Sequence, residues 1–200
     1  ADEVMSGWGR TGKIFAIEHY QGQPDLITTA KGLTSGYIPL GAVLVAQHVA
    51  EIFDEHPFLT GLTYSGHSLA TSIANTCLDL YLKNNQELLK TSSDTAHHLE
   101  QQAAKIVNTH QCLLELRMHG LLGCFVVNTN TDPSLTLPTK DMTLFIQQQL
   151  LQAGIFAFSR ENFIFIAPPL IITKEEVDSV LEIIDAELSK VDTLYYQHLN

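Results

Sequence analysis

Residues 25–33 read Asp25-Leu26-Ile27-Thr28-Thr29-Ala30-Lys31-Gly32-Leu33. The apolar, Thr-rich run predicts a short buried strand. A lysine follows it directly, and a flexible loop runs from Gly32 to Gly36. Burying a lysine strips hydration from its charged form, which makes the amine a usable nucleophile. Held at a strand end beside glycines, such an amine can form a Schiff base with a carbonyl. Taken alone, the window also describes an ordinary solvated strand end, which is the commoner case.

Working outward, Ala42 to Ala46 predicts a second buried strand, and Ile14 to Tyr20 a short helix. Ser6-Gly7-Trp8-Gly9-Arg10-Thr11-Gly12 is a glycine-dense loop. Its spacing lacks the strand–turn–helix setting of a dinucleotide fingerprint. Residues 67–84 predict a helix with Leu69, Ile73, Cys77 and Leu80 on one face, and a second helix spans roughly 86–107. Leu113–Met118 and Cys124–Val127 predict strands, 128–138 a polar, proline-containing loop, and 139–152 a helix. Ile155–Phe158 and Phe163–Ala167 predict two more strands. Thr173 to Leu188 predicts the last helix. Thr173 and Glu176 fit a capping box, and Val177, Val180, Leu181, Ile184 and Leu188 form an apolar stripe. The first part therefore reads as mixed α/β, residues 1–95, and the second as a compact α+β unit, residues 96–200.

The chain has 200 residues, 45% of them hydrophobic and 16% charged, enough for a real core. A formal net charge of −11 with no Lys/Arg run argues against nucleic-acid binding. Three cysteines, Cys77, Cys112 and Cys124, each in apolar surroundings, point to reduced, buried thiols and a cytoplasmic protein. No apolar run reaches membrane-span length, so no membrane role is expected. Ala1-Asp2-Glu3-Val4 reads as the tail of a strand, so the chain is expected to be the C-terminal portion of a longer protein.

Two groups accompany Lys31. Asp2 closes its short strand, and Thr63 stands in Leu62-Thr63-Tyr64-Ser65-Gly66-His67 ahead of the long helix. A hydroxyl and free backbone N–H groups at a helix start suit a phosphate, although a plain helix cap reads the same way. His97 and His98 are adjacent and diverge on a helix. His19, His48, His56, His67, His110, His119 and His198 show no ligand spacing, so no metal site is expected. There is no G-x-S-x-G elbow to anchor a hydrolase triad.

Asp2-Glu3-Val4, Gly7-Trp8-Gly9-Arg10-Thr11-Gly12, Pro24-Asp25, Ala30-Lys31-Gly32-Leu33, Pro39-Leu40-Gly41-Ala42 and Thr63-Tyr64-Ser65-Gly66-His67 follow one another in a fixed order. Ile166-Ala167-Pro168-Pro169-Leu170-Ile171-Ile172-Thr173 comes later. Together they resemble the class III (omega-type) pyridoxal-phosphate aminotransferases nearly end to end. The resemblance implies an α/β, fold-type I transferase: the C-terminal part of the large cofactor-binding domain, then a small α+β domain. It implies a transaminase that moves an amino group from an amine or omega-amino acid to a keto acid. An aminomutase or lyase of the same fold, or an inactive truncated remnant, are the alternatives.

Position by position, the resemblance makes Lys31 the Schiff-base lysine for pyridoxal 5'-phosphate and the proton-moving base. Asp2 would pair with the pyridinium nitrogen and Val4 would cover one ring face. Thr63 would reach the cofactor phosphate of a neighbouring subunit, which implies a homodimer with shared sites. Arg10 would shape the dimer-side loop. Relatives often carry a substrate-carboxylate arginine where this chain has Phe158; Arg160, two residues on, is the candidate substitute. His67-Ser68 replaces a common His-Pro or Asn-Pro. Relatives also carry ahead of Asp2 a phosphate loop and a ring-stacking aromatic, so this stretch alone is expected to lack a complete cofactor pocket.

Overall fold

A computed structural model describes residues 1–129 and 141–196, with the backbone alone at 84 and 85. Most of the loop expected over 128–138, the first residues of the helix expected from 139, and His198 lie outside the described residues. The chain divides into two compact units, Ala1–Thr91 and Ser92–Asn200.

In the first unit, β1 (Leu26–Thr29) pairs antiparallel with β2 (Ala42–Val45), Leu26 opposite Val45 and Thr29 opposite Ala42. Residues 1–3 run along the other edge of β1 through a parallel bridge between Asp2 and Thr28. The strands form where the apolar runs predicted them, but the expected burial is absent. All four residues of β2 are exposed, and in β1 Thr29 alone is fully buried. Within this unit nothing covers their apolar side chains, so Val43, Leu44 and Val45 stay 42–58% exposed. Ala16–Tyr20 forms a 3-10 turn rather than an α-helix. Two one-turn helices, α1 (Gln47–Ala50) and α2 (Ile52–Glu55), follow β2.

The two helices expected over 67–84 and 86–107 are one, α3 (Ser68–Thr109). Gln86, at φ 63°, carries a left-handed backbone where the expected break fell. The face expected on the first half is also corrected. Leu69 and Leu80 are exposed, while Ala70, Ala74, Cys77 and Tyr81 are buried. Small residues let the helix lie close against the loops of the unit, and Tyr81 fills the remaining gap.

The second unit is a four-stranded antiparallel sheet backed by helices. Its strands are β3 (Leu113–His119), β4 (Leu122–Val127), β5 (Ser159–Arg160) and β6 (Phe163–Ile166), in the order β3-β4-β6-β5. The strand expected at Ile155–Phe158 falls outside the assigned strands; Phe158 O accepts from Phe165 N at 2.8 Å, and the ladder proper begins at Ser159. α4 (Met142–Gln152) starts on Asp141, whose Oδ1 accepts from Thr143 N and Leu144 N. α5 (Lys174–Tyr195) opens on the predicted capping box. Thr173 Oγ1 accepts from Glu176 N at 3.1 Å, and Glu176 Oε2 accepts from Thr173 N at 2.8 Å. Val177, Leu181, Ile184 and Leu188 are buried in one cluster with Phe125, Val127, Ile146 and Leu150, and Val180 packs at its margin. Among the described residues no helix is long and apolar enough to cross a membrane.

Candidate functional site

Lys31 follows β1 by two residues, and Asp2 bridges to Thr28 on the segment beside it. Both therefore lie near the carboxyl ends of neighbouring parallel segments, where α/β folds place their ligands. Glu3 N donates to Thr28 O at 2.8 Å, Thr28 N to Ala1 O at 2.9 Å, and the terminal amine to Leu26 O at 2.7 Å. Val4 N at 3.1 Å and Thr28 Oγ1 at 3.3 Å both donate to Asp2 Oδ1, which orients the exposed carboxylate. Val4 is half-buried next to it.

Lys31 itself is exposed, so burial is not what distinguishes it. Its backbone does. At φ 41° it sits in the left-handed region that lysine rarely adopts. The next residue explains how this is held. A Cβ on Gly32 would lie 2.7 Å from Trp8 Cβ, so only glycine fits there. Tyr81 OH donates to Gly32 O at 2.7 Å. Leu33 and Thr34 are buried, and Thr34 Oγ1 donates to Ile38 O at 2.6 Å.

The glycine-dense loop supplies the wall behind Lys31. Trp8 is buried, donates through Nε1 to Thr29 Oγ1 at 2.5 Å, and stacks on Tyr81 with ring centroids 5.9 Å apart. Glu3 holds that loop from beneath. Its buried carboxylate accepts from Ser6 Oγ, Ala16 N and Ile17 N at 2.5, 3.0 and 2.8 Å, which offsets the cost of burying it. Arg10 is half-buried in the same loop, and burial lowers its guanidinium pKa. Sequence reasoning missed Glu3, Trp8 and Tyr81 as individual residues. The motif offered a signal for the first two; Tyr81, 49 residues from Gly32, had none.

Thr63 lies on an exposed turn before α3, closed by Ser65 N donating to Leu62 O, on an element separate from those carrying Lys31 and Asp2. Arg160 is in the second unit, exposed on edge strand β5, with its Nε 3.9 Å from Glu161 Oε1. Phe158 packs on Phe165 in the extended segment before β5. The Pro168-Pro169 stretch lines an apolar cleft of about 250 Å³ with Phe156, Phe165 and Ile184, a cleft suited to packing rather than to acid–base chemistry.

A second polar cluster escaped the histidine spacing test. His110, with a side chain 2% exposed, is hydrogen-bonded through Nδ1 to Asp192 Oδ2 at 2.7 Å and through Nε2 to Asp185 Oδ1 at 2.9 Å. Asp192 also accepts from Cys112 N at 2.8 Å and Gln111 N at 3.3 Å. The potential ligand atoms of His110, Cys112 and Asp192 lie within 4.8 Å of one another. Their polar atoms already serve one another in pinning α5 to the start of β3.

The same burial acts on the thiols. Cys77, Cys112 and Cys124 are free and buried. Desolvation pushes the Cys112 thiol far up, and the Asp192 charge adds to it; burial also raises Cys77 and Cys124. Above the unfolded thiol value of about 8.5, the unfolded chain releases protons that the native chain keeps. Stability is therefore complete below that pH and falls as pH rises through it, by up to about 1.4 kcal/mol per pH unit for each thiol. Urea midpoints across this range should show the fall, and Cys112→Ala should flatten it. A midpoint independent of pH would contradict the assignment.

Comparison with known proteins places this geometry. The profile of the family described as "Aminotransferase class-III" matches residues 1–188. Putrescine–pyruvate aminotransferase of Pseudomonas aeruginosa is 30% identical over 182 residues, covering 90% of this chain and 40% of that protein. Adenosylmethionine-8-amino-7-oxononanoate aminotransferase of Helicobacter pylori is 33% identical over 199 residues, covering 94% and 44%. The crystal structure of taurine:2-oxoglutarate aminotransferase from Bifidobacterium kashiwanohense, in complex with PLP and glutamate, superposes with a TM-score of 0.87 at 35% identity. That match covers 96% of this chain and 44% of that one. The chain thus spans about 40% of the length of the curated relatives it matches. The α/β, fold-type I class expected from the sequence is borne out by this likeness. The chain belongs to the class-III aminotransferase family.

Proposed function

We propose that the complete natural protein is a pyridoxal-phosphate-dependent transaminase that moves an amino group from an amine or omega-amino acid to a keto acid. The observation that carries this reading is the placement of an exposed amine, Lys31, and an oriented carboxylate, Asp2, near the carboxyl ends of neighbouring segments. An aldehyde-bearing, phosphorylated pyridinium needs an amine and an anion placed in this way, so these residues fit the group. When bound, pyridoxal phosphate supplies an electron sink for the pair left when the amino-bearing carbon loses its proton.

The chain's residues do the rest. Lys31 Nζ would hold the cofactor through its carbonyl carbon, the carbonyl oxygen leaving as water, and the freed amine would move a proton on the substrate. The Asp2 carboxylate would face the ring nitrogen and favour its protonated form, and Val4 would pack against the ring. Thr63 gives its hydroxyl to the phosphate of a neighbouring subunit, so the working form is a homodimer. Arg160 takes the substrate carboxylate in place of an arginine at position 158. Residues 1–95 belong to the large cofactor domain and 96–200 to the small domain. Free buried thiols support a cytoplasmic location.

The test is spectroscopic. The complete protein, loaded with pyridoxal phosphate, should absorb at the edge of the visible, and Lys31→Ala should abolish that band. A band indifferent to the substitution would sink the proposal.

A further inference from the structure

We infer that Tyr81 is a positioning residue for Lys31: its hydroxyl, by holding the Gly32 carbonyl, locks the left-handed backbone that aims the amine. The inference rests on Lys31 being the reacting group.

A lysine at φ 41° relaxes to an ordinary conformation unless its surroundings prevent it. Three contacts on the next residues prevent it here. Trp8 blocks Gly32 on one side at the distance of a missing Cβ. Leu33 N donates to Ala30 O at 2.9 Å and Ser35 N to Gly32 O at 3.1 Å, winding residues 31–34 into a tight 3-10 turn. Tyr81 OH is a long-range hydrogen-bond donor to this turn, reaching Gly32 O from 49 residues away. Gly32 O therefore accepts twice, from Ser35 N inside the turn and from Tyr81 outside it. The Tyr81 ring is buried and stacked on Trp8, so the hydroxyl's direction is set by packing. Burial also raises the phenol pKa, while a hydrogen bond with Ser35 opposes that rise. The hydroxyl thus stays protonated and able to donate. A side chain inside α3 in this way fixes the exit direction of an amine that makes no use of burial.

Tyr81→Phe separates the hydroxyl from the ring, since phenylalanine keeps the stack on Trp8. In the complete protein, amide exchange at Leu33 and Ser35 should quicken by about three- to tenfold. Exchange at Trp8 and Gly9, whose amides bond to Ile14 O and Lys13 O, should stay unchanged. In the cofactor-loaded protein, the pH midpoint of the visible-edge band should move by about half a unit or more, reflecting a re-aimed Lys31. Unchanged exchange at Leu33 and Ser35 overturns the inference, as does loosening that spreads equally to Trp8 and Gly9. If the unsubstituted protein shows no band, the transaminase reading fails, and the exchange result still decides whether Tyr81 holds the Lys31 turn. Should the phenylalanine variant not fold, Tyr81→3-fluorotyrosine keeps the ring and strengthens the donor. It should slow exchange at Ser35, and no change there overturns the inference.

Discussion

Lys31→Gly should give a chain about 1 kcal/mol more stable than Lys31→Ala, and neither variant should turn over. On the role proposed for Lys31, both variants of the complete protein lose the covalent and proton-moving amine, and the rate should fall by a factor on the order of 10⁴. They differ in backbone cost. A left-handed residue with a Cβ costs roughly 1–2 kcal/mol, and glycine escapes that cost while losing roughly 0.5–1 kcal/mol through its more flexible unfolded state. The difference favours glycine. Thermal or urea unfolding of the two variants, with turnover assayed in parallel, checks the expectation. If alanine is as stable as glycine at position 31, the φ of 41° is not an energetic burden.

His110→Ala should lower the unfolding free energy by about 3 kcal/mol, at the lower end of the range for breaking a buried ion pair. Both ring nitrogens lie within hydrogen-bond distance of carboxylate oxygens, so one buried ring serves two acidic side chains. Removing it leaves Asp192, whose side chain is 20% exposed, beside a buried thiol without its ring partner. Asp185, at 52%, can rehydrate, which is why the lower end applies. Asp185→Asn should accordingly cost much less, about 1 kcal/mol or under. Urea denaturation measures both. A His110→Ala variant within about 1 kcal/mol of the parent would show that this cluster adds little to the second unit.

The contrast between these two sites shows what the sequence could reveal. α5 was legible because its start and its stripe are local: the Thr173–Glu176 box spans three residues, and Val177 to Leu188 repeats at the helical period. The antiparallel strands of the second unit were legible for the same reason, apart from Ile155–Phe158, which reaches β6 at Phe158 O but stays outside the ladder. The buried face of α3 was misread because leucines outweigh alanines in a periodicity count. Close packing in the first unit wants Ala70 and Ala74, and Leu69 and Leu80 find nothing to cover them there. His110 was passed over because its partners lie 75 and 82 residues away. The position of Lys31 was readable from its motif. Its backbone was not, since nothing in a lysine announces a positive φ; what holds it is the contact of Trp8 and Tyr81 with Gly32.

Trp8 is the only tryptophan in the 200 residues. It is buried, bonded to Thr29 and pressed against the residue after Lys31. Under excitation selective for tryptophan, the emission of the chain therefore comes from one indole at the wall of the candidate site. Unfolding of the first unit, capture of an absorbing ligand at Lys31 or a shift of the Gly32 turn would each alter the same emission. No label needs to be introduced, and the second unit, which holds tyrosines but no tryptophan, adds nothing to that emission.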